Sequence, residues 1–182
     1  LLYGYEHFQF AETCFERARA FDSNDKRWAY YLGRTQAALG KHDQAAISLQ
    51  EALRQNPDYL PAELSLGESF RAAGQLDQSR KIYQAVAEKH PEAAAAYYGL
   101  GRVLAVQRET ARAIEFFRKA CDLYPSFGAA HYALALAYRD LGDRAKAQEH
   151  LAFYQKDKLS WPPTPDPLLR AIDDLKTGAS VH

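Results

Sequence analysis

A spacing of 34 residues governs this chain. Leu32-Gly33 recurs as Leu66-Gly67 and Leu100-Gly101, and a further step lands on Leu134-Ala135, alanine being the next smallest side chain. Seven residues past that column stand Gly40, Gly74, Arg108 and Gly142, in ALGKHDQA, AAGQLDQS, VQRETARA and DLGDRAKA. Twelve past it come Ala45, Ser79, Ala113 and Ala147, and sixteen past it Leu49, Tyr83, Phe117 and Leu151. Pro57, Pro91 and Pro125 close the unit in QNPD, KHPE and LYPS, where proline stops one helix and sets up the next. A period of this length marks units that cannot bury an apolar face alone and stack to make a continuous core.

Glycine inside YYLGRTQAALG, residues 30–40, costs a helix about 1 kcal/mol relative to alanine. Its recurrence in one column gives the reason. The first helix of each unit must approach the second closely, and a larger Cβ would push them apart.

A helix–turn–helix unit of this period, with Leu-Gly, Ala, a large residue, Ala and a closing Pro in fixed columns, resembles the tetratricopeptide repeat family. Residues 26–59, 60–93 and 94–127 are full units in register. Residues 128–159 form a fourth that has Leu159 in place of its closing proline, and residues 1–25 match the C-terminal part of an earlier one, with Ala11, Phe15 and Ala18 in the columns of Ala45, Leu49 and Ala52. Ala29, Glu63, Tyr97 and His131 stand where the family favours tryptophan, and Arg108 replaces a turn glycine. The resemblance implies an all-α fold, a right-handed superhelical solenoid of antiparallel helix pairs. The half-unit at the start and the absence of any methionine suggest a piece of a longer protein.

Composition narrows the function by exclusion. Lys plus Arg and Asp plus Glu both total 23, so no basic excess favours nucleic acid or an anionic membrane surface. No apolar run approaches the roughly 18 residues of a membrane span, and LLYGYEHFQF lacks a basic region followed by an apolar stretch. Cys14 and Cys121 have no metal-ligand or redox spacing and read as small, half-buried helix residues. The six histidines are scattered without HxxxH or HxxE partners. No nucleophile with a base, metal cluster or phosphate-cradling glycine loop is visible, so catalytic residues, a metal and cofactors are all expected to be absent.

After Lys158 the period gives way to LSWPPTPDP. Residues 160–166 read as a semi-rigid proline-rich connector. Asp166 is a suitable N-cap and Pro167 a suitable first helical residue, so residues 167–177 are expected to be helical within a C-terminal segment 167–182. Leu168, Leu169, Ile172 and Leu175 give that helix an apolar face. It reads first as a cap over the last repeat and second as a docking element for another domain or copy.

In the tetratricopeptide repeat family the first helix of each unit lines the concave groove, and positions 2, 5, 9, 12 and 13 face it. Carried over by position, the resemblance assigns Tyr30, Leu64, Tyr98 and Tyr132 to position 5. Arg34, Glu68 and Arg102 share position 9 with Leu136, Arg71 and Arg139 fall at position 12 with Ala37 and Ala105, and Arg27 is at position 2. Arginine forks bind carboxylates and tyrosines supply contact area at low entropic cost, so the expected occupant is a peptide or protein segment with acidic and apolar residues. The plain alternative is that Arg34 and Arg102 pair with Glu68 and solvent. The lysine and asparagine clamp by which some repeats hold chaperone C-termini is absent: the matching positions are Tyr30, Arg34, Ser65, Ala95 and Gly99.

The reading is therefore a noncatalytic interaction scaffold. Its alternatives are a regulatory or substrate-docking arm of a larger, bacterial enzyme, and self-association through the open N-terminal end or the tail helix.

Overall fold

The computed structural model describes residues 2–171, with side chains from residue 7 onward. The described residues are helical and contain no strand: α1 (Leu2–Phe21), α2 (Lys26–Ala38), α3 (His42–Gln55), α4 (Leu60–Ala72), α5 (Leu76–Lys89), α6 (Ala94–Val106), α7 (Thr110–Leu123), α8 (Gly128–Asp140) and α9 (Arg144–Lys156). Residues 167–171 are helical as well. The chain divides into two compact units, one from Leu1–Ala73 with Thr164–His182, the other Gly74–Pro163.

Turn chemistry fixes where the helices stop. Gly40, Gly74 and Gly142 hold φ of 75°, 78° and 81°, the left-handed region that glycine enters without steric cost. Arg108 holds φ 65° in the same column. The backbone bond that spans the turn is the same at either residue type: Lys41 N–H to Gln36 O, Glu109 N–H to Leu104 O and Asp143 N–H to Tyr138 O are each 2.9 Å. These satisfy carbonyls that the helix end would otherwise orphan. Two residues beyond α3, α5 and α7 come Pro57, Pro91 and Pro125, and the residue before each is driven out of helical geometry: Asn56 at φ −146°, ψ 79°, His90 at −128°, 75° and Tyr124 at −139°, 89°.

The first unit's core lies between α2 and α3, where Leu32, Ala45, Leu49 and Ala52 are buried. A methyl group built on Gly33 would meet Leu49 Cγ at 2.7 Å, which is the close approach expected from the repeat column. Helix α1 packs on α2 through Phe15, whose ring lies 5.4 Å from Tyr31, and Lys41 Nζ reaches Glu12 Oε2 at 2.6 Å. Cys14 is exposed rather than half-buried, whereas Cys121 is partly buried.

In the second unit Leu104, Ala113, Phe117 and Leu134 form one buried cluster, and Ala94, Ala120, Phe127 and Ala130 another. A methyl on Gly101 would meet the Phe117 ring at 2.5 Å, repeating the Gly33–Leu49 relationship two units later. Gly128 has a separate role. Its added Cβ would lie 2.2 Å from Asp157 O, because the backbone that follows α9 crosses the start of α8, where Gly128 N–H donates to Ser160 O at 3.3 Å.

His131, in the column where the family favours tryptophan, is buried. Its Nδ1 lies 3.0 Å from His150 Nδ1, and its Nε2 lies 2.9 Å from Pro125 O. Neither histidine has an HxxxH or HxxE partner in the sequence. No group of three metal-ligating residues occurs among the described residues.

Candidate functional site

Position 5 of the first full unit carries Tyr30, and its phenol is fully buried although its helix face is the one expected to meet a partner. The cover is the chain's own tail. Asp166 sits over α2 and the start of α4 with both carboxylate oxygens engaged. Oδ1 accepts from the Tyr59 hydroxyl at 2.5 Å and from Leu169 N–H at 3.0 Å. Oδ2 accepts from the Tyr30 hydroxyl and lies 3.5 Å from Arg34 Nη1.

The surrounding bonds complete the set. Arg34 Nη1 donates to the Tyr30 oxygen at 3.0 Å, Leu168 N–H donates to the Tyr59 oxygen at 3.2 Å, and the Tyr31 hydroxyl donates to Leu168 O at 2.5 Å. Each of Tyr30 and Tyr59 thus donates to the carboxylate and accepts from another group. Burial first, and the bond to Asp166 second, raise both phenols well above their ordinary range, so both remain protonated donors. The carboxylate is only 14% exposed while Arg34 stays 42% exposed, so the ion pair is open to water on the arginine side.

The tail of this chain therefore rests on the first repeats. The expectation of a cap over the last repeat does not hold for residues 166–168, because the hydroxyls that satisfy Asp166 and Leu168 come from Tyr30, Tyr31 and Tyr59. Ile172 and Leu175, expected on the same helix, lie outside the described residues. Asp166 does start the turn of helix at 167–171, since Leu169 N–H meets its side chain and Arg170 N–H its carbonyl, the latter at 3.0 Å.

The second unit holds a related arrangement. Tyr98, also at position 5, packs its ring 4.9 Å from Phe127, and Trp161 stands edge-on to both, at 5.6 Å from Tyr98 and 4.7 Å from Phe127. Ser160 is tied in beside it by its hydroxyl, 3.1 Å from the Tyr124 hydroxyl and 3.2 Å from that of Ser126. Arg102 lies over the Tyr98 ring at 5.4 Å, as Arg34 lies over Tyr30 at 5.9 Å.

The remaining predicted positions are distributed as follows. Arg27 clasps Asp25, the N-cap of α2, at 2.6 Å and lies 5.1 Å over Trp28. Glu68 meets Arg71, three residues on along its own helix, at 2.7 Å. Leu64 is half-buried. Tyr132, 43% exposed, packs against Tyr154 at 4.9 Å, and Arg139, 67% exposed, lies 3.6 Å from Asp140.

Tyr59 and Phe127 were missed at the sequence level. Both close a unit, two steps of 34 apart, and each pairs with the position 5 tyrosine of its own unit, Tyr59 with Tyr30 at 5.1 Å and Phe127 with Tyr98 at 4.9 Å. The same column, read for aromatics rather than for spacing, would have found them.

Repeat-family models, each described as tetratricopeptide repeat, match residues 2–59 and 64–126, and residues 128–152. The chain belongs to the tetratricopeptide repeat family. Solved structures similar to this tetratricopeptide repeat chain include a crystal structure of MamA, 24% identical over 83% of this chain and 88% of that one, with a TM-score of 0.72. MamA from Desulfovibrio magneticus RS-1, from residue 41 to its end, is 24% identical over 86% of this chain and 88% of that chain, with a TM-score of 0.72. MamA AMB-1 is 24% identical over 84% and 90%, with a TM-score of 0.67. At that identity the similarity is one of fold. No curated protein matches the chain in sequence. Among the described residues no helix is long and apolar enough to cross a membrane. Tetratricopeptide repeats build protein-interaction scaffolds, and that is the general class of this protein.

Proposed function

We propose that this chain is a noncatalytic scaffold whose first-helix faces, the concave side in its family, hold a peptide segment rich in acidic and apolar residues. The observation that carries the reading is Asp166, a carboxylate seated between Tyr30, Tyr59 and Arg34 and followed by Leu168, whose carbonyl the Tyr31 hydroxyl takes. A tyrosine and arginine surface that receives an acidic, apolar segment of its own chain has the chemistry to receive one from elsewhere. Tyr98 with Arg102 repeats the pairing, and Leu64, Glu68, Arg71, Tyr132 and Arg139 occupy further positions that face the groove in the family. Arg27, occupied by the N-cap Asp25, serves first to start α2.

The test is capture from a cell lysate by the full chain and by a chain carrying Arg34→Glu, Arg102→Glu and Arg139→Glu, with bound proteins identified by mass spectrometry. The reading expects at least one protein retained by the unaltered chain and lost by the charge-reversed one. Equal capture by both would remove the first-helix faces as the binding surface.

A further inference from the structure

We propose that the Tyr30–Arg34–Tyr59 cradle is a recognition site for an aspartate that caps the start of a helix, and that residues 166–168 are a built-in competitor for it. The inference rests on the scaffold reading and adds the ligand's chemistry: a partner segment of the form Asp-Pro followed by two apolar residues and a helical turn.

Three features of the cradle select that form. Both carboxylate oxygens are taken in different directions, Oδ1 by Tyr59 and Oδ2 by Tyr30 and Arg34. Since Oδ1 also receives Leu169 N–H, the bound aspartate is already the cap of its own helix. Aspartate is among the preferred N-cap residues, and a glutamate would carry its carboxylate one methylene further from its own third amide. Next, the Tyr59 oxygen accepts Leu168 N–H at 3.2 Å and the Tyr31 hydroxyl donates to Leu168 O at 2.5 Å, so the main chain two residues after the aspartate is read at both its donor and its acceptor. Finally, Pro167 occupies the one intervening position, where its missing N–H leaves no orphan donor and its fixed φ starts the helix.

The occupant is held as a bound peptide is held. Four of the seven residues 161–167 are prolines, which have no amide hydrogen to donate, so this stretch is fastened by side-chain anchors. Such a segment, tethered at an effective concentration on the order of millimolar, outcompetes an identical free peptide until its anchor is weakened.

The probe is a fluorescein-labelled peptide of residues 161–174, WPPTPDPLLRAIDD, titrated by anisotropy against three forms of the full chain: unaltered, Asp166→Ala and Asp166→Asn. Circular dichroism of each form verifies that the helices are intact, and Asp166→Asn preserves side-chain shape if the alanine variant is unstable. The proposal expects both variants to bind the probe at least tenfold more tightly than the unaltered chain. It expects that gain to disappear when the chain also carries Tyr59→Phe, or when the probe carries Asp166→Asn or Asp166→Glu. Equal affinity for all three chains, or equal affinity of Asp and Asn probes for a variant chain, overturns it. Because the gain is read through Tyr59 and the probe's own aspartate, its failure together with successful arginine-dependent capture from lysate would leave the scaffold reading in place. Probe binding with arginine-independent capture would do the reverse.

Discussion

His131 Nδ1 lies 3.0 Å from His150 Nδ1, and the other nitrogen of His131 lies 2.9 Å from Pro125 O. A carbonyl accepts only, so His131 Nε2 must carry a hydrogen. In the neutral pair His131 Nδ1 is then the acceptor, and His150 Nδ1–H the donor.

Burial, with the neighbouring His131 second, lowers the His150 pKa below its ordinary 6.5. The folded state therefore binds fewer protons than the unfolded state as pH falls through about 6.5, and stability falls with it until the folded value is passed. Thermal melts between pH 7.5 and 5 should show this loss. His150→Phe, which can keep the stack on Tyr138 without titrating, should flatten that part of the profile. An unchanged slope would remove the pair from the pH response.

Arg108 occupies the left-handed turn position that three glycines occupy elsewhere, at φ 65°. A side chain there costs on the order of 1 kcal/mol that glycine does not incur. Arg108→Gly should therefore stabilise the chain by about 1 kcal/mol in urea unfolding, with the m-value unchanged. The same substitution in a helix interior would cost about that much.

Gly101→Ala should act in the opposite direction. Alanine gains about 1 kcal/mol of helix propensity, but its methyl would stand 2.5 Å from the buried Phe117 ring. Overpacking costs about 1–3 kcal/mol, so the midpoint should fall, and pairing it with Phe117→Leu should recover part of the loss.

Tyr59→Phe removes a donor to Asp166 Oδ1 and an acceptor for Leu168 N–H at once. A bond to a charged group contributes about 1.5–3 kcal/mol, so exchange of the Leu169 and Arg170 amides should quicken by roughly tenfold or more. Amides in α6 and α7 should be unaffected.

The two thiols should separate in a labelling experiment. Cys14 is exposed, whereas burial pushes the Cys121 thiol up to about 12, leaving little thiolate at neutral pH. At pH 8 a thiol reagent should modify Cys14 promptly and Cys121 only after denaturant is added. Equal rates would mean that Cys121 is not protected by the fold.

The repeat was legible because its determinants are local. Gly33 with Leu49 and Gly101 with Phe117 each meet inside one unit, at the same offset of sixteen residues. Asp166 was legible as a helix cap for the same reason. Its other partners were not, since Tyr30 lies 136 residues away and Tyr59 lies 107, and no periodic column links a tail outside the repeat to either. The plain alternative placed Arg34 on Glu68 and solvent, whereas Arg34 lies 3.5 Å from Asp166, a carboxylate outside the repeat, and Glu68 meets Arg71 on its own helix.

The glycine of α2 and the leucine of α3, like the glycine of α6 and the phenylalanine of α7, fit only as couples. Both members of each couple lie inside one 34-residue unit. Gene duplication that copies a whole unit therefore transmits the couple intact, whereas a crossover between its helices can join a small partner to a residue sized for another. The chain can lengthen or shorten by entire units more easily than it can exchange halves of them, and the couple, rather than either residue, is what such a lineage inherits.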